Sequence, residues 1–406
     1  MSYLSIVQYP AMHVVVIFYN IGGYHAARLR AAQAACQQHG WSLTAIEVTD
    51  NTKEHPWGNV EREITFPLKT LLPVATTPPS ADRSPSSTIA ASLLPTCLDA
   101  LKPDILAIPG WGFPISRTAL AWCKRHRIQA ILMSESKWDD EKRQWWKEQL
   151  KSWLYVRKYD AALVGGKQHR DYLIELGFPR NRIFLGYDAV NNDYFAQTAN
   201  VARQDPVAAR YRQPHIPSRP YFIAVTRFIK RKNVPGLVKA FAAYRQQVGE
   251  EQSWDMVLCG SGAEEALIRQ IIVENELNHC VHLPGFITYQ EIGDWYGLAN
   301  AFIHPALHEQ WGLVVNEACA AQLPILSSRT VGACHELVQE GQNGLLFAPE
   351  SQQDITRALL AMHQLDSDCR IRMGQVSQKI VAEYSPEKFA LGLLNSIKGA
   401  LVVNQN

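Results

Sequence analysis

The chain has 406 residues, 47% hydrophobic and 19% charged, and 40 basic against 38 acidic side chains leave a formal net charge of +2. This is enough material for two domains with real cores, and the balanced charge removes any global attraction to nucleic acid. Eight cysteines without a C-x-x-C pair, no basic leader ahead of a small-residue cleavage site, and no apolar run of about 18 residues lead us to expect a cytoplasmic protein with reduced thiols and no transmembrane segment.

From the start of the chain, His13 to Tyr19 is a β-branched and aromatic run suited to a buried parallel strand, and it ends in Asn20-Ile21-Gly22-Gly23. Gly22 and Gly23 read either as a tight turn or as a place where backbone approaches a ligand closely. A helix is expected from Tyr24 to His39, stopped by Gly40, then a second strand from Ser42 to Val48. Residues 50 to 88, rich in Pro, Thr and Ser, read as loops with one or two irregular strands. Strand patterns resume at Asp104 to Pro109, Ile128 to Met133 and Ala161 to Val164, with a helix from Arg117 to Arg127. Asp139 to Lys158 reads as one long amphipathic helix capped by Asp139 and Asp140. Its aromatic stripe of Trp145, Trp146, Trp153 and Tyr155, with Tyr159 just beyond, is expected to pack inward, the alternative being an acceptor or peripheral membrane surface.

The periodic pattern breaks at Gln197 to Pro220 and then starts again. Strands are expected at Tyr221 to Thr226, Trp254 to Cys259 and Val281 to Leu283, alternating with helices at Asn233 to Gln247, Ala263 to Asn275 and Tyr289 to Ala299. The expected organisation is α/β: two Rossmann-like doubly wound domains at 1–200 and 201–385 facing an interdomain cleft, and a final helix at 386–406.

The densest chemistry lies after the apolar run Ala301 to Ile303. Glu309 sits in the following loop, Gly312 opens a helical pattern, and Glu317 comes eight positions after Glu309. Ligands of open α/β sheets bind outside the carboxyl ends of strands, where first-turn amides such as those of Leu313 and Val314 have no intrahelical partner and can donate to phosphate or sugar oxygens. Gly260-Ser261-Gly262 and the basic run Arg227 to Lys232 follow two other strands. Arg227 can pair bidentately with phosphate and Lys232 can act as a point charge, whereas a solvated turn is the plain alternative for either.

Together these stretches resemble the retaining GT-B glycosyltransferases of glycosyltransferase family 4, strongly over residues 221 to 347 and weakly elsewhere. The resemblance implies that Arg227 and Lys232 clamp a donor diphosphate, that Glu317 takes the ribose hydroxyls, and that Glu309 takes the transferred hexose. It also implies donor-side roles for Gly22, Gly23, Gly260, Gly262, Gly312, Leu313 and Val314. Val331 to Glu336 and Asn343 to Phe347 match closing segments near the donor, and the final helix is implied to cross back onto the first domain. His308 and Trp311 are read as flanking the sugar, with packing as the alternative for Trp311, and His304 as structural. The family's histidine after a first-domain strand is missing here: Ser134-Glu135-Ser136-Lys137 stands in its place, so Ser134 or Glu135 takes that role, or Glu135 orients the acceptor, with Trp111 to Phe113 lining the acceptor side.

The implied activity is metal-independent retaining transfer of a hexose from a nucleoside diphosphate sugar, taken as UDP-linked, to a hydroxyl acceptor that is a sugar, a lipid-linked sugar or a small molecule. No cofactor and no bound metal are expected. A sugar-nucleotide epimerase, a phosphorylase and a non-catalytic sugar-nucleotide sensor are the alternatives.

Overall fold

A computed structural model describes residues 10–50, 63–73 and 83–402. Among the described residues, seven parallel strands form the first sheet: β1 His13–Phe18, β2 Ser42–Thr49, β3 Leu68–Leu72, β4 Ile105–Pro109, β5 Gln129–Ser134, β6 Ala161–Val164 and β7 Ile183–Leu185, in the order β3-β2-β1-β4-β5-β6-β7. Six form the second: β8 Tyr221–Val225, β9 Asp255–Cys259, β10 Val281–Gly285, β11 Ala301–His304, β12 Ile325–Ser328 and β13 Gly344–Phe347, in the order β10-β9-β8-β11-β12-β13.

The unbroken apolar runs exist because helices cover both faces of each sheet. In β1, Val14, Val16 and Phe18 meet Ala26, Leu29 and Cys36 of the helix Gly23–Gln38, whereas Val15 and Ile17 face Leu94 and Leu98 of the helix Arg83–Leu101. In β8, Ile223 packs toward Tyr296 and Val315, and Phe222 toward Phe241 and Leu359. The final helix, Pro386–Val402, returns to the first domain and buries Phe389, Leu393, Leu394 and Ile397 in its core. No helix among the described residues is long and apolar enough to cross a membrane.

Both sheets reverse direction at a central pair, β1 beside β4 and β8 beside β11, which is where an open α/β sheet offers a crevice. Loops from the carboxyl ends of the two sheets touch. Lys137 after β5 donates to the Thr330 carbonyl after β12 at 2.9 Å, and His169 after β6 meets the Gln310 carbonyl after β11 at 3.0 Å.

Several expectations change. Arg83–Leu101 is a helix, where composition suggested loop; Leu94 and Leu98, one turn apart and fully buried, contribute about 1.5–3 kcal/mol each and offset the roughly 3 kcal/mol cost of Pro95 inside it. The rest of the stretch read as irregular holds β3, and its remainder at 51–62 and 74–82 lies outside the described residues. Asp139 to Lys158 is not one helix: only Trp145–Leu154 is α-helical, followed by a 3₁₀ turn at Val156–Lys158. Asp139 and Asp140 cap nothing, because Asp139 pairs with Lys137 at 2.7 Å and Asp140 with Arg143. Nor does the aromatic stripe pack inward: Trp145, Trp146 and Trp153 are exposed, and only Tyr159 is buried. The segment Val190 to Ala199 packs with Ile223 and Tyr296, so the chain changes partner ahead of the composition break read at 200.

Candidate functional site

The second-domain crevice is built by the loops after β8 and β11. After β8 the chain makes a short 3₁₀ turn at Lys230–Lys232, and this turns Lys232 inward, where it is buried and pairs with a Glu309 carboxylate oxygen. Arg231 reaches the other oxygen of Glu309 at 3.3 Å. The two loops are also tied by backbone, since the Leu307 amide donates to the Arg231 carbonyl at 2.8 Å. Arg227 stands exposed on the same loop.

Glycines make this apposition possible. Gly260 and Gly262 have φ of +146° and +154°, and a Cβ on either would collide with the carbonyl oxygens of Thr226 and Phe228. The glycine turn after β9 therefore braces the Arg227 loop, with the Phe228 amide donating to the Ser261 carbonyl at 2.8 Å. Gly260 and Gly262 thus give backbone support to the Arg227 loop. Gly312 has φ +99° and caps the helix Leu313–Ala320; a Cβ there would lie 3.2 Å from Glu309 Cγ. The half-buried residues Leu313 and Val314 thus begin a helix beside Glu309, with first-turn amides that the helix itself does not use.

Charge in this crevice is uneven. Three cations, Arg227, Arg231 and Lys232, sit on one loop, and Glu309 is the carboxylate that Arg231 and Lys232 share. Burial, reinforced by Arg231 and Arg227, pushes the Lys232 ammonium well below its usual range, and contact with Glu309 opposes that shift. His304, fully buried at the end of β11, is pushed well below its usual value by burial and then by Lys232 and Arg231, so it is a neutral imidazole 3.5 Å from Glu309. Neither ring nitrogen has a hydrogen-bond partner among the described residues.

Glu317 lies deeper. One carboxylate oxygen accepts from the Tyr24 hydroxyl of the first domain and the other from the Tyr296 hydroxyl at 2.7 Å. Gly22 and Gly23 precede Tyr24, and a Cβ on Gly23 would press against the Tyr289 ring at 3.2 Å. In this state the glycine loop meets the second domain directly, and Glu317 serves as a contact between the domains. Burial raises its carboxyl from 4.5 to about 8. A carboxyl raised on folding contributes stability that is fully present below pH 4.5 and is lost as pH rises through about 8. Glu317→Gln keeps both phenol contacts and removes the titration. Chemical denaturation across that window should show stability falling with pH in the wild type and a flatter profile in the variant; equal slopes would remove Glu317 from this role.

Trp311 does not flank a sugar. It is fully buried, its Nε1 donates to Asn316 at 2.8 Å, and its ring packs against His169 and Tyr384 at 5.6 and 5.8 Å. His308 is exposed beside Arg231, which its carbonyl accepts from at 3.4 Å. In the segment 331–336, the Gly332 amide donates to the Glu309 carbonyl at 3.2 Å and the Ala333 amide to that of Trp311 at 2.9 Å, so it holds the Glu309 loop from behind. Glu336 binds the first domain, accepting from the Lys167 amide at 2.7 Å.

On the first-domain side, half-buried Glu135 follows β5 and faces the buried Asp188 carboxyl. Burial and then Glu135 push Asp188 well above the usual carboxyl range, and Arg28, 3.9 Å away, opposes this. Asp188 and His169 were missed by sequence reasoning, although a carboxylate inside the apolar run Tyr187 to Val190 is itself a signal. His169 accepts from the Gly166 amide at Nδ1, 3.1 Å, so Nε2 carries the proton toward Gln310; burial keeps it neutral.

Two doubly wound domains meeting at their strand ends, with a cation cluster and a helix start in the crevice, define the GT-B class of two-domain α/β proteins. Solved structures agree on the fold: a glycosyltransferase from Rickettsia africae ESF-5 superposes with a TM-score of 0.74 at 12% identity over 97% of this chain and 99% of that one. The Anabaena HepE protein in complex with UDP and glucose superposes with a TM-score of 0.71 at 13% identity over 95% and 99%. Residues 209–379 match the profile of the family glycosyl transferases group 1. Among curated proteins the chain is 26% identical over 142 residues to the alpha-monoglucosyldiacylglycerol synthase of Acholeplasma laidlawii, covering 35% of this chain and 34% of that protein. The match thus spans about a third of that relative's length.

Proposed function

We propose that the protein is a retaining glycosyltransferase that moves a hexose from a nucleoside diphosphate sugar, UDP-linked, to a hydroxyl acceptor. The observation that carries this reading is the gathering of positive charge at the β8/β11 crevice, where Arg231 and Lys232 share Glu309 beside the exposed Arg227, and where burial and then the neighbouring cations hold Lys232 and His304 below their usual ranges. A diphosphate would relieve that repulsion and give charge-assisted contacts to Arg227, Arg231 and Lys232, with the amides of Leu313 and Val314 as further donors. The partnerless nitrogens of His304 suit an oxygen of the bound donor or of an intervening water. The UDP complex of HepE and the sugar-transfer names of the relatives agree with this assignment.

In this reading the departing diphosphate is stabilised by the cation cluster, and its oxygen takes the acceptor proton on the same face of the sugar. Glu309 stabilises positive charge developing at the ring, and Glu135 orients the acceptor hydroxyl. Glu317 becomes available to the ribose hydroxyls when Tyr24 lets go. The reading needs neither metal nor cofactor, because protein cations supply the charge. The free cysteines, with burial pushing the Cys36 and Cys123 thiols up to about 12, suit a cytoplasmic location.

Calorimetry with UDP and UDP-hexoses, followed by acceptor screening and assignment of the product anomer by NMR, tests it. UDP binding and transfer with retained configuration are expected, both persisting in EDTA. Loss of all transfer in EDTA with recovery on Mn²⁺ would overturn the metal-independent part, and UDP binding without turnover of any donor would leave a sensor.

A further inference from the structure

The helix Trp145–Leu154 is mounted inside out. Its buried stripe is polar: Glu148 and Ser152, one turn apart, are 4% and 0% exposed. Glu148 accepts from Lys151 at 2.7 and 2.8 Å and from the Tyr172 hydroxyl, and Ser152 donates to the Leu176 carbonyl. Roughly 200° around the helix from Glu148 lies Trp146. With Leu150 and Trp153 at the i, i+4, i+7 spacing, it forms an apolar stripe that is 59%, 50% and 68% exposed. Trp145, on the flank, is 70% exposed, and Trp138 in the preceding turn is 43% exposed. An ordinary surface helix is built the other way round, and a contiguous patch of large apolar side chains marks a docking surface.

The charge around the patch says what covers it. Carboxylates of this segment are engaged internally: Asp139 by Lys137, Asp140 and Glu141 by Arg143, Glu148 by Lys151 and Arg143. Lys142, Lys147 and Lys158 are exposed and have no carboxylate partner among the described residues, and Lys147 lies over the Trp146 ring at 5.3 Å. Tryptophan bodies bordered by outward ammonium groups match the boundary between acyl chains and anionic headgroups. A second copy of the same face would instead bring these ammonium groups against one another.

We propose that this helix, with Trp138, is a docking face for an anionic lipid bilayer, with Trp146, Leu150 and Trp153 entering the interface and the lysines meeting headgroup phosphates. The proposal stands whether or not the transfer reading does. Its position has a consequence for the cleft: Asp140, in the turn ahead of the helix, accepts from Gln310 at 3.0 Å, one residue from Glu309, so a docked protein carries the crevice at the membrane surface.

Flotation of the full chain with phosphatidylcholine vesicles, and with vesicles of phosphatidylcholine and phosphatidylglycerol in equal amounts, tests it. Binding is expected to the mixed vesicles, weakened in 1 M salt, where the Debye length falls to about 3 Å. The W146S/W153S variant replaces exposed side chains, so its melting temperature should hold while its partitioning falls by at least about tenfold. Lys147→Glu with Lys158→Glu should reduce binding to the anionic vesicles selectively. Wild-type protein that ignores the mixed vesicles, or a W146S/W153S variant that binds them equally well, overturns the proposal. A dimer that this variant converts to monomer, without vesicle binding, assigns the face to self-association.

Discussion

Lys232→Ala should lower both folding stability and donor affinity, and by more than any other single change on the β8 loop. Lys232 is buried against Glu309, and removing it leaves that buried carboxylate only its longer contact to Arg231, a loss of up to about 3–5 kcal/mol. The same ammonium is one of three cations proposed to hold the diphosphate, and losing a charge-assisted contact costs about 1.5–3 kcal/mol, roughly ten- to hundredfold in Kd for UDP. The two effects separate in a double-mutant cycle. Lys232→Met combined with Glu309→Gln removes both charges, so stability should recover much of the loss whereas UDP affinity should not. Denaturant unfolding and calorimetry read the two quantities independently. Wild-type UDP affinity in Lys232→Met would take Lys232 out of the donor site and leave it a structural ion.

Glu309→Gln alone should have the largest effect on turnover. The amide keeps the shape of the side chain but removes the negative charge that Lys232 and Arg231 share. The cluster then becomes more positive, so affinity for UDP should be kept or improved. Turnover should fall by about 10²–10³, the usual effect of deleting one preorganised electrostatic group, because a carboxylate beside the sugar acts mainly when positive charge develops at the ring. Steady-state kinetics at saturating donor, set against UDP titrations of the same variant, separate the roles. An unchanged kcat with altered UDP affinity would make Glu309 only the counter-ion of the cations.

The architecture and the placement of the chemistry along the chain were legible in the apolar runs and motif spacing. Parallel strands buried on both faces have to be continuous apolar runs, so β1, β4, β5, β8, β9 and β11 were legible as such, and the motifs after β8, β9 and β11 fell at strand ends where such sheets bind ligands. What local pattern cannot carry is the direction in which a side chain finally faces. Periodicity showed that the segment after β5 had an apolar stripe, yet which stripe turned inward depended on Tyr172 and Leu176 offering partners to Glu148 and Ser152, and the tryptophans were left outside. Trp311 reads equally well as a sugar platform or a core residue until its neighbours His169 and Tyr384 arrive from distant parts of the chain.

Pairings between remote residues were likewise decided only in three dimensions. Lys232 meets Glu309 across 77 positions, and Tyr24 meets Glu317 across 293. Their titration follows from that burial: Glu317, raised to about 8, reads in the chain as an ordinary helical glutamate, and Asp188 is pushed up by burial and then by Glu135, which only the fold brings beside it. A strand or a turn is set by the residues within it, whereas the protonation of a buried group is set by whatever folding brings against it.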